Sequence, residues 1–199
     1  MGYSLEFYSL PWDRLRSTLG SGDQKLVQTT LNGQGPAIRN AAEEATSWQS
    51  ALEALILGSR GRTLAASSAQ QLTVPTPEEA LALVAVVRTL GTRLGEIMHT
   101  TRGGPRFREM FDPAKSGFQL SARVDLRHLL ERRLLGLDLA GYPGWGGLDA
   151  AELASAAQDL QVDPVAVTPD PDYQQWLFDL QRLIVDAQDL QKDLVTLYL

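Results

Sequence analysis

Hydrophobic and polar positions change their rhythm along this chain, and the first and last segments differ from everything between them. In Tyr3 to Ser9 the residues Tyr3, Leu5 and Phe7 alternate with Ser4, Glu6 and Tyr8, the period of a half-buried strand that stops at Pro11. Leu194-Val195-Thr196-Leu197-Tyr198-Leu199 is a strand by composition. Between them the periodicity is helical. Pro11 suits the first turn of a helix from Trp12 to Leu19, stopped by Gly20 and Gly22, and Asp23 to Leu31 reads as another, ended by Asn32-Gly33-Gln34-Gly35-Pro36. Ala41, Ala45, Trp48, Leu52 and Leu55 share one face of an amphipathic helix that ends at Gly58, and residues 59 to 75 read as loop.

Thr76, Pro77 and Glu79 form a capping box with proline at the first helical position, opening a helix whose body, Ala80 to Val87, is apolar on every face and therefore central to a core. Val124 to Leu137 reads as helix from the stripe Leu126, Leu130 and Leu134. Gly141 to Gly147 reads as a tight aromatic turn. A second capping box, Asp149 with Glu152, opens a helix to about Leu160, and Asp170-Pro171 starts a last one with the apolar face Tyr173, Trp176 or Leu177, Leu180, Ile184 and Ala187. A third strand is expected near 119–122 or 162–167. Isolated terminal strands gain from pairing with each other. The pattern thus predicts an α+β fold over 1–199, a predominantly helical single domain with a small sheet formed by the N- and C-terminal strands.

Charge changes this picture more than composition does. Residues 88–133 hold ten Lys/Arg against five Asp/Glu, a balance of +5, while 134–199 hold two against eleven, a balance of −9. Such sorting either closes acid on base within the fold or leaves a polarised surface for a partner. The overall −6 disfavours nucleic acid, whose phosphates reward basic surfaces. The absence of cysteine removes disulfides and thiolate chemistry. No long uncharged apolar run and no leader-like start predict a soluble cytosolic protein without membrane contact.

Catalytic signatures are sparse. His99 and His128 lack a metal ligand at helical spacing, so neither a metal nor a cofactor is expected, and both read as partly buried imidazoles. The carboxylate pair Glu78-Glu79 suits a helix N-terminus, as does Asp170 with Asp172, and there is no Gly-x-Ser-x-Gly elbow. The candidate surface is the arginine-rich segment, with Arg102, Arg106, Arg108, Arg123, Arg127 and His99 as anion- or partner-binding residues, because guanidinium forks prefer carboxylates and phosphates. Tyr142 and Trp145 either line a partner groove or plug the edge of the core.

The Met1-Gly2-Tyr3-Ser4 start, Trp12-Asp13-Arg14-Leu15-Arg16, Gly144-Trp145-Gly146-Gly147-Leu148 leading into Ala150-Ala151-Glu152-Leu153, and the Asp193-Leu194-Val195-Thr196-Leu197-Tyr198 ending resemble an uncharacterised bacterial domain-of-unknown-function family, loosely YfbM-like. The resemblance implies a cytosolic α+β domain and supplies no site residues. The sequence therefore favours a non-enzymatic, immunity-like or accessory protein-interaction factor with a polarised charged surface. Its alternative is a small enzyme or ligand-binding domain acting on an anionic small molecule at 102–133. A homodimer through the C-terminal strand is a further expectation, since an unpaired edge invites a second chain.

Overall fold

A computed structural model describes residues 2–39, 47–66, 74–100, 110–111, 124–139 and 144–199. It shows a largely helical α+β fold with one small sheet. In chain order the elements are β1 (Gly2–Ser9), α1 (Trp12–Thr18), α2 (Gln24–Arg39), α3 (Ser47–Ile56), α4 (Ser59–Ala65), α5 (Pro77–Leu90) and β2 (Thr92–Thr100). There follow α6 (His128–Glu131), a 3₁₀ turn (Leu134–Gly136), β3 (Gly144–Leu148), α7 (Ala150–Asp159), α8 (Pro164–Val167), α9 (Pro171–Asp189) and β4 (Leu194–Tyr198). These gather into two compact units: Met1–Ser9 with Arg93–Arg132 and Trp145–Leu199, and Leu10–Thr92 with Arg133–Gly144.

The first unit carries the sheet, in the order β2-β1-β4-β3. The chain ends pair as their alternation predicts. β1 and β4 run antiparallel, with Leu5 opposite Tyr198, Phe7 opposite Thr196 and Ser9 opposite Leu194. Reciprocal bonds between Ser4 and Leu199, at 2.8 and 2.9 Å, extend the ladder. With a side-chain period of two, that register sets Leu5, Phe7, Leu194 and Tyr198 on one face and Glu6, Tyr8, Val195 and Leu197 on the other. The first set shares a core with Leu153 and Ala156 of α7, Leu160 just beyond it, and Trp176, Leu180 and Ile184 of α9. Phe111 meets Trp176 edge to face, ring centroids 5.0 Å apart. Among the described strands β4 lies between β1 and β3, with β2 and β3 at the edges of the sheet.

The second unit is built around α5, whose Ala82, Leu83, Val84, Ala85, Val86 and Val87 are all buried, and α1, α2 and α3 pack on it. Its capping box forms as expected: the Thr76 hydroxyl accepts from Glu79 N and the Glu79 carboxylate accepts from Thr76 N. Glu79 does more. It takes both Nε and Nη2 of Arg60, at 2.6 and 2.9 Å, a fork that holds its carboxyl below the usual range despite burial and raises the Arg60 guanidinium.

The structure departs from the sequence reading at several points. Residues 59–65, expected as loop, form α4, where Gly61 packs so close to Leu55 O and Gly20 N that a Cβ would collide with both. Helix α2 does not stop at Asn32 but runs through the Gly-Gln-Gly-Pro stretch to Arg39. The helix packs on α5, with Val27 and Thr30 buried. The helix expected over 124–137 is instead one turn of α helix and one of 3₁₀, separated by extended backbone at Arg132. Leu126, Leu129, Leu130, Leu134, Leu135 and Leu137 are all buried, which one helical stripe would not allow. The third strand is not at 162–167, where α8 lies; residues 119–122 fall outside the described ones. The additional strands are β2, unforeseen, and β3, read as part of a turn.

Candidate functional site

The described end of the arginine-rich segment forms a polar corner with β3 and the start of α7. At its tip Asp125 accepts the backbone N–H of Arg127 at 3.0 Å and the guanidinium through Nε and Nη2, at 2.9 and 2.6 Å. That fork holds the Asp125 carboxyl below its ordinary range, against the opposite push of partial burial. Arg132 reaches back to the Glu152 carboxylate and to Gly147 O. Glu152 is at the same time the third residue of the second capping box, accepting from Asp149 N at 3.0 Å while Asp149 accepts from Glu152 N at 2.9 Å.

His128 Nδ1 lies 3.8 Å from Glu152 Oε1, beyond hydrogen-bond range, and is buried without a hydrogen-bond partner among the described residues. Gly146 of β3 lies against the backbone of His128 and Leu129, where a Cβ would collide with both, and Thr196 donates to Leu129 O at 2.5 Å. Both described arginines of the corner are therefore paired, Arg127 with Asp125 and Arg132 with Glu152. In the second unit Arg133 likewise meets Asp138 at 3.3 Å.

Of the residues expected to bind an anion or partner, Arg127 is thus engaged by Asp125. Arg102, Arg106, Arg108, Arg123 and Tyr142 lie outside the described residues. His99 sits in β2, its side chain likewise outside them. Trp145 is only 1 % exposed and its Nε1 has no hydrogen-bond partner among the described residues. Among the described residues no three His, Asp or Glu side chains converge as metal ligands, and no helix is long and apolar enough to cross a membrane.

A surface the sequence reading did not single out lies on α7 and α9. Helix α9 buries Trp176, Leu177, Leu180, Leu183, Ile184 and Ala187, close to the face expected. Its opposite face carries Asp186 and Asp189, and also Phe178 and Val185, which remain 57 % and 42 % exposed, while Asp172 is exposed in the first turn. Phe178 and Val185 line a groove of about 460 Å³, floored by Ala157, Leu160 and Val162. Gln181 fixes that floor by donating its amide to Leu160 O and Val162 O, both at 2.7 Å. The legible signal was two apolar residues on the polar side of an amphipathic helix, seven positions apart.

No curated protein and no solved structure matches this chain. One family model, described as a domain of unknown function, DUF7691, matches residues 1–199, and the chain belongs to that family.

Proposed function

We propose that the protein is a non-enzymatic interaction factor, immunity-like or accessory, that works in the bacterial cytosol by binding another protein of opposite charge. One observation carries this reading: among the described residues, the arginines that close the basic segment are paired, while carboxylates on the outer side of α9 are not. Arg127, Arg132 and Arg133 are held by Asp125, Glu152 and Asp138. Asp172, Asp186 and Asp189, exposed on α9, take part in no ion pair among the described residues. A row of unanswered carboxylates raises a negative potential that steers a basic partner and fixes its orientation.

The test is a pull-down from bacterial extract with the wild type and with Asp172→Lys/Asp189→Lys. The expected result is a protein retained near 0.1 M salt, released as salt rises toward about 0.5 M, and lost from the variant, because exposed charges are screened over about 10 Å at 0.1 M. Equal retention by the variant, or retention indifferent to salt, overturns the reading.

A further inference from the structure

We infer that the α7–α9 groove seats a basic amphipathic helix of the partner, with apolar anchors one heptad apart; this rests on the interaction reading above and names its site. The argument is one of spacing. Phe178 and Val185 are seven residues apart, about 10 Å along the axis at 1.5 Å per residue, and seven residues return nearly to the same side of a helix. Two carboxylates border that apolar row: Asp186 lines the groove beside Val185, and Asp189 lies one turn beyond Val185 on the same side of the helix. A partner helix laid along this side of α9 puts aliphatic or aromatic side chains at its own seven-residue spacing into the groove, with Lys or Arg beside them facing Asp186 and Asp189.

The groove is ready for this. Its floor is apolar, and the carbonyls of Leu160 and Val162 that border it already accept from Gln181, so an incoming apolar side chain strands no backbone acceptor there. Scattered exposed apolar residues are ordinary, whereas Phe178 and Val185 share one concavity that a partner's side chains can fill. A second copy of this chain is a poor occupant. Helix α9 carries four aspartates against the single Arg182, and two such faces repel. A small anionic ligand is disfavoured by the same charge, since Asp186 stands at the rim beside Arg182.

The experiment uses the full chain and two synthetic helical peptides of about 18 residues, five turns. Both carry leucines at seven-residue spacing, flanked by lysines in one and by glutamates in the other, and binding is read by fluorescence anisotropy. The lysine peptide is expected to bind and the glutamate peptide not. Phe178→Asp and Val185→Asp should each weaken binding at least about tenfold, as loss of a buried anchor does, with unchanged circular dichroism because both residues are exposed in the free protein.

Several results would overturn the inference. One is undiminished binding to Phe178→Asp and Val185→Asp; another is no binding of the lysine peptide to the wild type; a third is a wild-type dimer abolished by Phe178→Asp, which would seat a second copy in the groove. The interaction reading is decided separately. If the extract protein is lost from Asp172→Lys/Asp189→Lys but kept by Phe178→Asp, the partner binds by charge outside the groove; if both variants keep it, the interaction reading fails as well.

Discussion

Helices α5 and α9 both open on a proline at the first helical position and both are long, yet they treat charge and surface in opposite ways. Around α5 apolar side chains are buried on all sides, and its one buried carboxylate, Glu79, is answered by Arg60 and by the helix cap. Helix α9 buries one face and leaves on the other an apolar pair among carboxylates that no described cation answers. The difference separates charge used for folding from charge left for something else. Glu152 with Arg132 is the counterpart of Glu79 with Arg60: in each case the third residue of a capping box also binds an arginine from an earlier segment. Position in a cap is a local property, whereas the arginine is recruited from 19 or 20 residues away.

The largest expected effects test the buried faces. Leu83→Ala in α5 and Leu180→Ala in α9, both fully buried, should each lower stability by about 3 kcal/mol in urea unfolding, through lost transfer energy and the cavity left behind. Phe178→Ala, on the outer side of α9, should change it by no more than about 0.5 kcal/mol. Comparable losses at Leu180 and Phe178 would break the distinction between the two faces of α9.

Glu79→Ala should cost about 2–3 kcal/mol, because it removes a capping acceptor and a charge-assisted fork and leaves Arg60 unpaired. The same residue sets a pH dependence. Its carboxyl is held below the ordinary glutamate range, about 4.3, so its contribution is complete above that range and is lost as pH falls through the lower folded value. Glu79→Gln should flatten this part of the acid limb of stability against pH; an unchanged limb would show that the fork contributes nothing to it.

Arg132→Ala should cost less, about 1 kcal/mol, since both it and Glu152 keep part of their side chains in water. Asp172→Lys/Asp189→Lys should move stability least, within about 0.5 kcal/mol by thermal unfolding. A gain or loss of several kcal/mol there would mean that these carboxylates serve the fold after all, and the contrast with Glu79 would disappear.

Much of the fold was legible because its signals are local. Both capping boxes need only four consecutive residues, and the terminal strands show an alternation or composition that is unstable unless paired. The errors share a cause. Gly144-Trp145-Gly146-Gly147 looks like a turn, but Gly146 is there because β3 passes against the backbone of His128 and Leu129, a neighbour no window contains. The leucines of 124–137 fit a helical stripe, but burial on several sides and the pairing of Arg132 with Glu152 break that helix after one turn. Of the candidate site, the charge sorting was plain in the sequence, while the groove was not, because its floor comes from α7 and the following residues and its wall from α9.

The sequence by itself determined where the capped helices α5, α7 and α9 begin, which of their faces are apolar, that the chain ends form strands, and how charge is distributed along the chain; each depends on residues within a few positions of one another. Only the tertiary structure decided which charges are quenched and which reach solvent. Coulomb attraction and burial depend on distance in space, and a carboxylate with an arginine at 3 Å is a different chemical object from the same carboxylate facing water.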